Sequence, residues 1–203
     1  MPEGSLSTNA TLALDTPASV TVDGRADVYS SGLAEADPGR AGKLPAILTL
    51  VPRGGFLTLR NVKGAVGCMA EASAPADGGT CAGGDTNILT ASGISGIANH
   101  QHTQFLAGVF LGPSASPQAP ATLDFSVNAI GESFAELAPL IGQTFYIGDG
   151  LTAAGVEQRF VMPAGATRLF LGFADAYGFQ GDPGAYGDNT GGLRITVVQQ
   201  AAR

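Results

Sequence analysis

The chain has 203 residues, a formal net charge of −7 and charged side chains at only 13% of positions. Ten lysines and arginines stand against 17 acidic residues, so no basic stripe is available to neutralise phosphates, and nucleic acid is excluded as a partner. No apolar run reaches the roughly 18–20 residues of a membrane-spanning helix, and 30 glycines with 12 prolines suit a domain rich in tight turns.

From the N-terminus, Met1, Pro2, Glu3 and Gly4 lack the basic and apolar regions of a signal peptide. The chain is therefore expected to be either cytosolic or the mature part of an exported protein. In residues 5–16, Ala10, Leu12 and Leu14 alternate with polar or small residues, as in a strand. That strand would either pair within its own domain or act as an arm that extends a neighbour's sheet. Residues 1–25 are read as this N-terminal strand or arm and 26–203 as the body, within one domain overall. Val20 and Val22, then Leu57 and Leu59, alternate with polar neighbours, the period of a strand with one wet face. Leu106–Leu111 is apolar almost throughout and reads as a central strand covered on both sides. Leu123, Phe125 and Val127 alternate again. Ser133 is placed to cap a short helix over 133–141, with Glu136 at the capping-box spacing and Phe134, Leu137, Leu140 and Ile141 on one face; Pro139 limits it to about two turns. Residues 169–173 form a second central strand, and Leu193, Ile195 and Val197 mark a last one. Short strands separated by turn residues predict an all-β fold: an antiparallel, jelly-roll-like β-sandwich with one short connecting helix.

Cys68 and Cys81 lie close together in a Gly/Ala/Ser-rich loop. In an exported protein they would close that loop as a disulfide; in the cytosol they would remain thiols. Zinc is not indicated, because His100 and His102 add at most two nitrogens without the usual spacing. The two histidines would share one face of a strand or sit in an exposed turn. Ser95 lacks the Gly-x-Ser-x-Gly context of a nucleophile elbow, since Ile97 stands at the final glycine position. Glu132, Glu136 and Asp149 are candidate glycosidase carboxylates, but nothing in their spacing pairs them. The chain is therefore not expected to be an enzyme.

The densest group of oxygen donors spans residues 175–191, with Asp175, Asp182, Asp188 and Asn189 among glycines and between two strands. Ca²⁺ takes about six to eight oxygens from carboxylates, amides and main-chain carbonyls, and glycines let a loop turn its carbonyls inward. The same composition also makes an ordinary polar hairpin loop, and residue types alone leave both readings open.

The strand Leu169-Phe170-Leu171-Gly172-Phe173-Ala174-Asp175, followed by Pro183-Gly184-Ala185-Tyr186-Gly187-Asp188-Asn189-Thr190-Gly191, resembles the final hairpin of the bacterial calcium-dependent galactophilic lectins of the PA-IL type. Closer still is the resemblance to exported domains of proteins with a PEP-CTERM sorting tail, which look like distant relatives of those lectins. Shared segments include residues 145–151, 163–168, 93–97, 107–112 and 77–79. The resemblance implies a galactose-binding-lectin-like sandwich and a Ca²⁺ site with side-chain oxygens from Asp175, Asp188 and Asn189. It also implies main-chain carbonyls from Ala185 and, through alignment of residues 55–67, from Gly67. The lectins grip a further sugar hydroxyl with a histidine and a glutamine from a loop that corresponds here to residues 71–85. That loop holds neither, and Asp77 is the polar side chain nominated in their place, beside Asp175 and Asp188. Two functions follow as expectations. One is a secreted or cell-surface module that binds a glycan or polysaccharide through calcium. The other is a self-associating subunit of a surface layer, matrix or filament in which calcium only stiffens the fold.

Overall fold

The computed structural model describes residues 7–69, 73–114 and 118–201. Residues 1–6 of the expected arm, residues 70–72 of the cysteine loop, residues 115–117 and residues 202–203 lie outside that set. Among the described residues the strands in chain order are β1 (Asn9–Thr11), β2 (Ala18–Asp23), β3 (Ala46–Thr49), β4 (Phe56–Gly67), β5 (Thr86–Ile88), β6 (Ile97–Asn99) and β7 (Leu106–Leu111). There follow β8 (Leu123–Asp124), β9 (Glu136–Leu137), β10 (Thr144–Tyr146), β11 (Arg159–Val161), β12 (Arg168–Phe173), β13 (Gln180–Gly181) and β14 (Thr190–Gln200).

The architecture is all-β. One sheet runs β1-β3-β12-β7-β10, a second β2-β14-β4-β11-β9, and a smaller third β13-β5-β6-β8. The long central pairings β12–β7 and β14–β4 are antiparallel. The sheets are mixed rather than wholly antiparallel, because β1 on β3, β9 on β11, β13 on β5 and β8 on β6 pair parallel. These parallel partners are only two or three residues long, so they decorate antiparallel cores. β1 and β2 pair with β3 and β14 of the same chain, so described residues of the N-terminal segment complete the domain's own sheets.

Burial follows the alternation in the sequence. Val20, Val22, Leu57, Leu59, Leu193, Ile195 and Val197 are all buried, and every residue of β7 is buried, as a strand covered on both faces requires. Rings join the two main layers. Phe110 stacks on Phe145 at 5.3 Å, and Phe145 of β10 meets Phe160 of β11, in the other sheet, at 5.5 Å. Phe134 then touches Phe160 and Phe125, and Phe125 touches Tyr146. Where β14 crosses close to its neighbours only glycine fits: a Cβ on Gly24 would collide with the Thr190 carbonyl, and one on Gly64 with the Gly192 carbonyl.

The helix expected over 133–141 does not form. Ser133 does not cap a helix; its hydroxyl oxygen accepts from the Ala153 amide at 2.9 Å. The Ala135 carbonyl accepts from the Arg159 amide at 3.0 Å, Glu136 and Leu137 pair with β11, and the Leu140 amide donates to the Gln143 side chain at 2.9 Å. A two-turn helix carries little intrinsic stability, and packing of Phe134 into the aromatic chain outweighs it. The alternation of residues 123–127 also stops early, with Val127 70% exposed beyond a two-residue strand.

Candidate metal and ligand site between the last two long strands

β12 leaves the first sheet at Phe173, and the chain enters the second sheet at Thr190 as β14. Because β12 and β14 lie in different sheets and do not pair, the connection is an arch between layers and not the hairpin expected from the sequence; it turns on Tyr186, whose ring is buried. Its hydroxyl donates to the Phe173 carbonyl at 3.0 Å and accepts from the Asp175 amide at 3.1 Å. The Gly184 amide donates to the Asp175 carbonyl at 2.9 Å. Together these bonds fix Asp175 at the end of β12 and bring the 185–189 turn back over it.

The Asp175 carboxylate is buried. Its Oδ1 accepts from the Ala176 amide at 2.7 Å and its Oδ2 from Asn189 Nδ2 at 2.7 Å. Among the described residues no lysine or arginine forms an ion pair with it. Burial pushes its pKa from 3.8 to about 7, against the two hydrogen bonds, with help from the negative charges of Asp188 and Asp27. Asp27 itself is held by Arg40 at 3.2 Å, so that guanidinium is already committed. Asn189 is 4% exposed, and its Oδ1 has no hydrogen-bond partner. Ala185 sits at φ 65°, a left-handed conformation costly for a residue with a Cβ.

Asp175, Ala185 and Asp188 line one cavity of about 370 Å³ together with Cys68 and Cys81. Those cysteines form a disulfide, with Cα atoms 6.5 Å apart. Gly67 stands opposite Thr190 in the β4–β14 register, next to the cystine and to Asn189. Asn189 joins Asp175 through its hydrogen bond, whereas Gly67 lines a neighbouring cavity beside the cystine and not the one at Asp175. Among the described residues no three His, Cys, Asp or Glu side chains converge on a point. A cation here would rest on two carboxylates, an amide and main-chain carbonyls, the hard-oxygen set that Ca²⁺ takes. The buried Asp175 carboxylate without a cation fits such an ion, whereas Asn189 presents Nδ2 to that carboxylate and would have to turn its amide to offer Oδ1.

Asp77 is not part of this corner. Its Oδ1 accepts from the Asp149 amide at 2.8 Å and from the Tyr146 hydroxyl at 3.2 Å, on a separate groove of about 890 Å³. Glu132, His102 and Asp149 share that groove, whereas Glu136 lines a different one. His102 Nδ1 bonds Glu132 at 2.7 Å, while His100 pairs with Asp85, so the two histidines serve separate carboxylates. The sequence reading missed Tyr177, which is 92% exposed on the wall of the Asp175 cavity. It also assigned no role to the Tyr186 hydroxyl. An aromatic residue among glycines was the available signal for both.

Comparison with protein-family models, curated proteins and solved structures gave no match.

Proposed function

We propose that this chain is an extracytoplasmic, calcium-binding β-sandwich module that takes a glycan through the ion held by Asp175, Ala185, Asp188, Asn189 and Gly67. The observation that carries the reading is Asp175: a buried carboxylate without a cationic partner, beside a second carboxylate and an amide oxygen that has no partner. Native proteins rarely leave such groups unanswered. Rotation of the Asn189 amide about its last bond would turn Oδ1 toward the site in place of Nδ2. The strained φ of Ala185 is a second expense that an inward-facing carbonyl would justify. These donors number fewer than the six to eight oxygens calcium takes, so the bound ion supplies open positions for neighbouring sugar hydroxyls. Tyr177 adds an exposed ring on which the apolar face of a pyranose can lie. The cystine accords with an oxidising compartment.

Direct contacts are few, so affinity for a monosaccharide is expected at roughly −4 to −6 kcal/mol. Calorimetric titration with Ca²⁺, followed by a glycan array with and without chelator, tests the reading. Saturable calcium binding and glycan signals that vanish with chelator are expected. Absence of calcium binding overturns the site, and calcium binding without glycan signals overturns its use as a sugar anchor.

A further inference from the structure

The groove of about 890 Å³ at Asp77 shares no lining residue with the cavity at Asp175. Its size falls in the usual range for small-ligand sites. Neutral groups orient three carboxylates in its wall. Asp77 Oδ1 accepts from the Tyr146 hydroxyl and the Asp149 amide. Glu132 Oε1 accepts from Asn99 Nδ2 at 2.6 Å and meets His102 Nδ1 at 2.7 Å. Asp149 Oδ1 accepts from the Leu151 amide at 2.8 Å. Tyr146 and Asn99 are themselves buried. At Gly148, φ 59°, a Cβ would collide with both Asp77 Oδ1 and the Tyr146 hydroxyl, so only glycine lets these groups approach.

Orientation does not neutralise the carboxylates. Among the described residues none of the three pairs with a lysine or arginine, and neither residue type lines the groove. Burial pushes the Asp149 carboxyl above its ordinary value, against its bond from the Leu151 amide and with help from the negative charge of Asp77. What this wall lacks is a counter-charge. A metal ion does not supply it: a metal needs several oxygens within about 2.6 Å, and no three acidic or imidazole side chains converge so closely among the described residues. An ammonium group asks less, because its N–H donors reach carboxylates at ordinary hydrogen-bond distance. The same groove also exposes Val127, Ile130 and Leu151 to water, an apolar surface that suits a hydrocarbon stem.

We propose that this groove binds a primary ammonium group carried on an apolar stem. Asp77, Asp149 and Glu132 take the charge, and Val127, Ile130 and Leu151 cover the stem. That chemistry is shared by alkyl diamines and lysine side chains. The site needs no calcium and is independent of the glycan reading.

The test is calorimetric titration of the full chain in chelator, near pH 8 and in about 0.15 M NaCl to screen diffuse attraction to the negative surface. The probes are cadaverine and the blocked tripeptide acetyl-Gly-Lys-Gly-amide, with 1,5-pentanediol as the uncharged match for cadaverine. Saturable binding of at least one amine and none of the diol is expected. Tighter cadaverine assigns the site to a free amine, and tighter tripeptide to a lysine of a polypeptide. Asp149→Asn and Glu132→Gln keep the oxygens that accept the orienting bonds, and each should weaken binding about tenfold, the scale of one charge-assisted hydrogen bond. Glu35→Gln removes the same charge at an exposed position outside the groove and should change nothing. No binding of either amine, equal binding of the diol, or equal weakening by Glu35→Gln would each overturn the site and leave the calcium reading untouched.

Discussion

Asp175 makes the calcium-free protein's stability depend on pH in a direction opposite to most carboxylates. In the folded chain its pKa is about 7, against 3.8 for an unperturbed aspartate. Between those values the folded state keeps a proton that the unfolded state has released, so stability falls as pH rises through this window and levels off above about 7. Each unit of difference corresponds to about 1.4 kcal/mol, which gives a loss on the order of 4 kcal/mol across the window. For a chain of this size that is a drop in Tm of about 10 °C. Asp175→Asn keeps the shape and removes the titration, so its Tm should stay level where the parent's falls. Added Ca²⁺ stabilises the native state by mass action and should restore the parent above pH 7. Its effect should shrink toward pH 5, where the proton competes for the same carboxylate. Thermal melts from pH 4.5 to 8, in chelator and in excess Ca²⁺, for parent and Asp175→Asn, measure this. Comparison of the two proteins cancels the contributions of the other titrating groups. A parent profile that parallels the variant's, or equal stabilisation of both by calcium, would refute the reasoning.

Tyr177→Ala should weaken glycan binding about tenfold, the scale of one stacked ring. Its Tm should stay within about 2 °C of the parent, since an exposed side chain contributes little to the core; calorimetry and a melt separate the two effects. Replacing both Cys68 and Cys81 by serine should cost about 3 kcal/mol on the chain-entropy account. It should also weaken calcium binding measured by titration, because the loop beyond Gly67 is no longer fixed; an unchanged calcium affinity would show that the cystine does not organise the corner.

Strands whose side chains alternate cleanly could be read from sequence because burial of one face writes a period of two into the residues. Leu57 with Leu59 and Leu193 with Ile195 are such pairs. The Ser133 segment misled because a capping serine, a well-placed glutamate and four apolar residues at helical spacing satisfy every local rule. What decides there is distant: Phe160, Arg159 and Ala153 claim Phe134, Ala135 and Ser133. The donors from Asp175 to Asn189 stood out because they lie close in sequence between two strands, although the sequence suggested a hairpin where the chain arches from one sheet to the other. Asp77 did not, because its surroundings are set by Tyr146 and Asp149, which the chain reaches some seventy residues later.

The arch that holds Asp175 is also where the chain changes layers, from β12 in one sheet to β14 in the other. Asp175 and Asn189 stand on either side of that passage, joined by a 2.7 Å bond. Gly67, at the end of β4, belongs to the second layer as well. A cation at this corner would therefore act as a rivet through both layers, and its release would leave the sandwich free to gape from that edge. Slow amide exchange at Phe173 and Thr190 would then report on occupancy as directly as any measure of the ion itself.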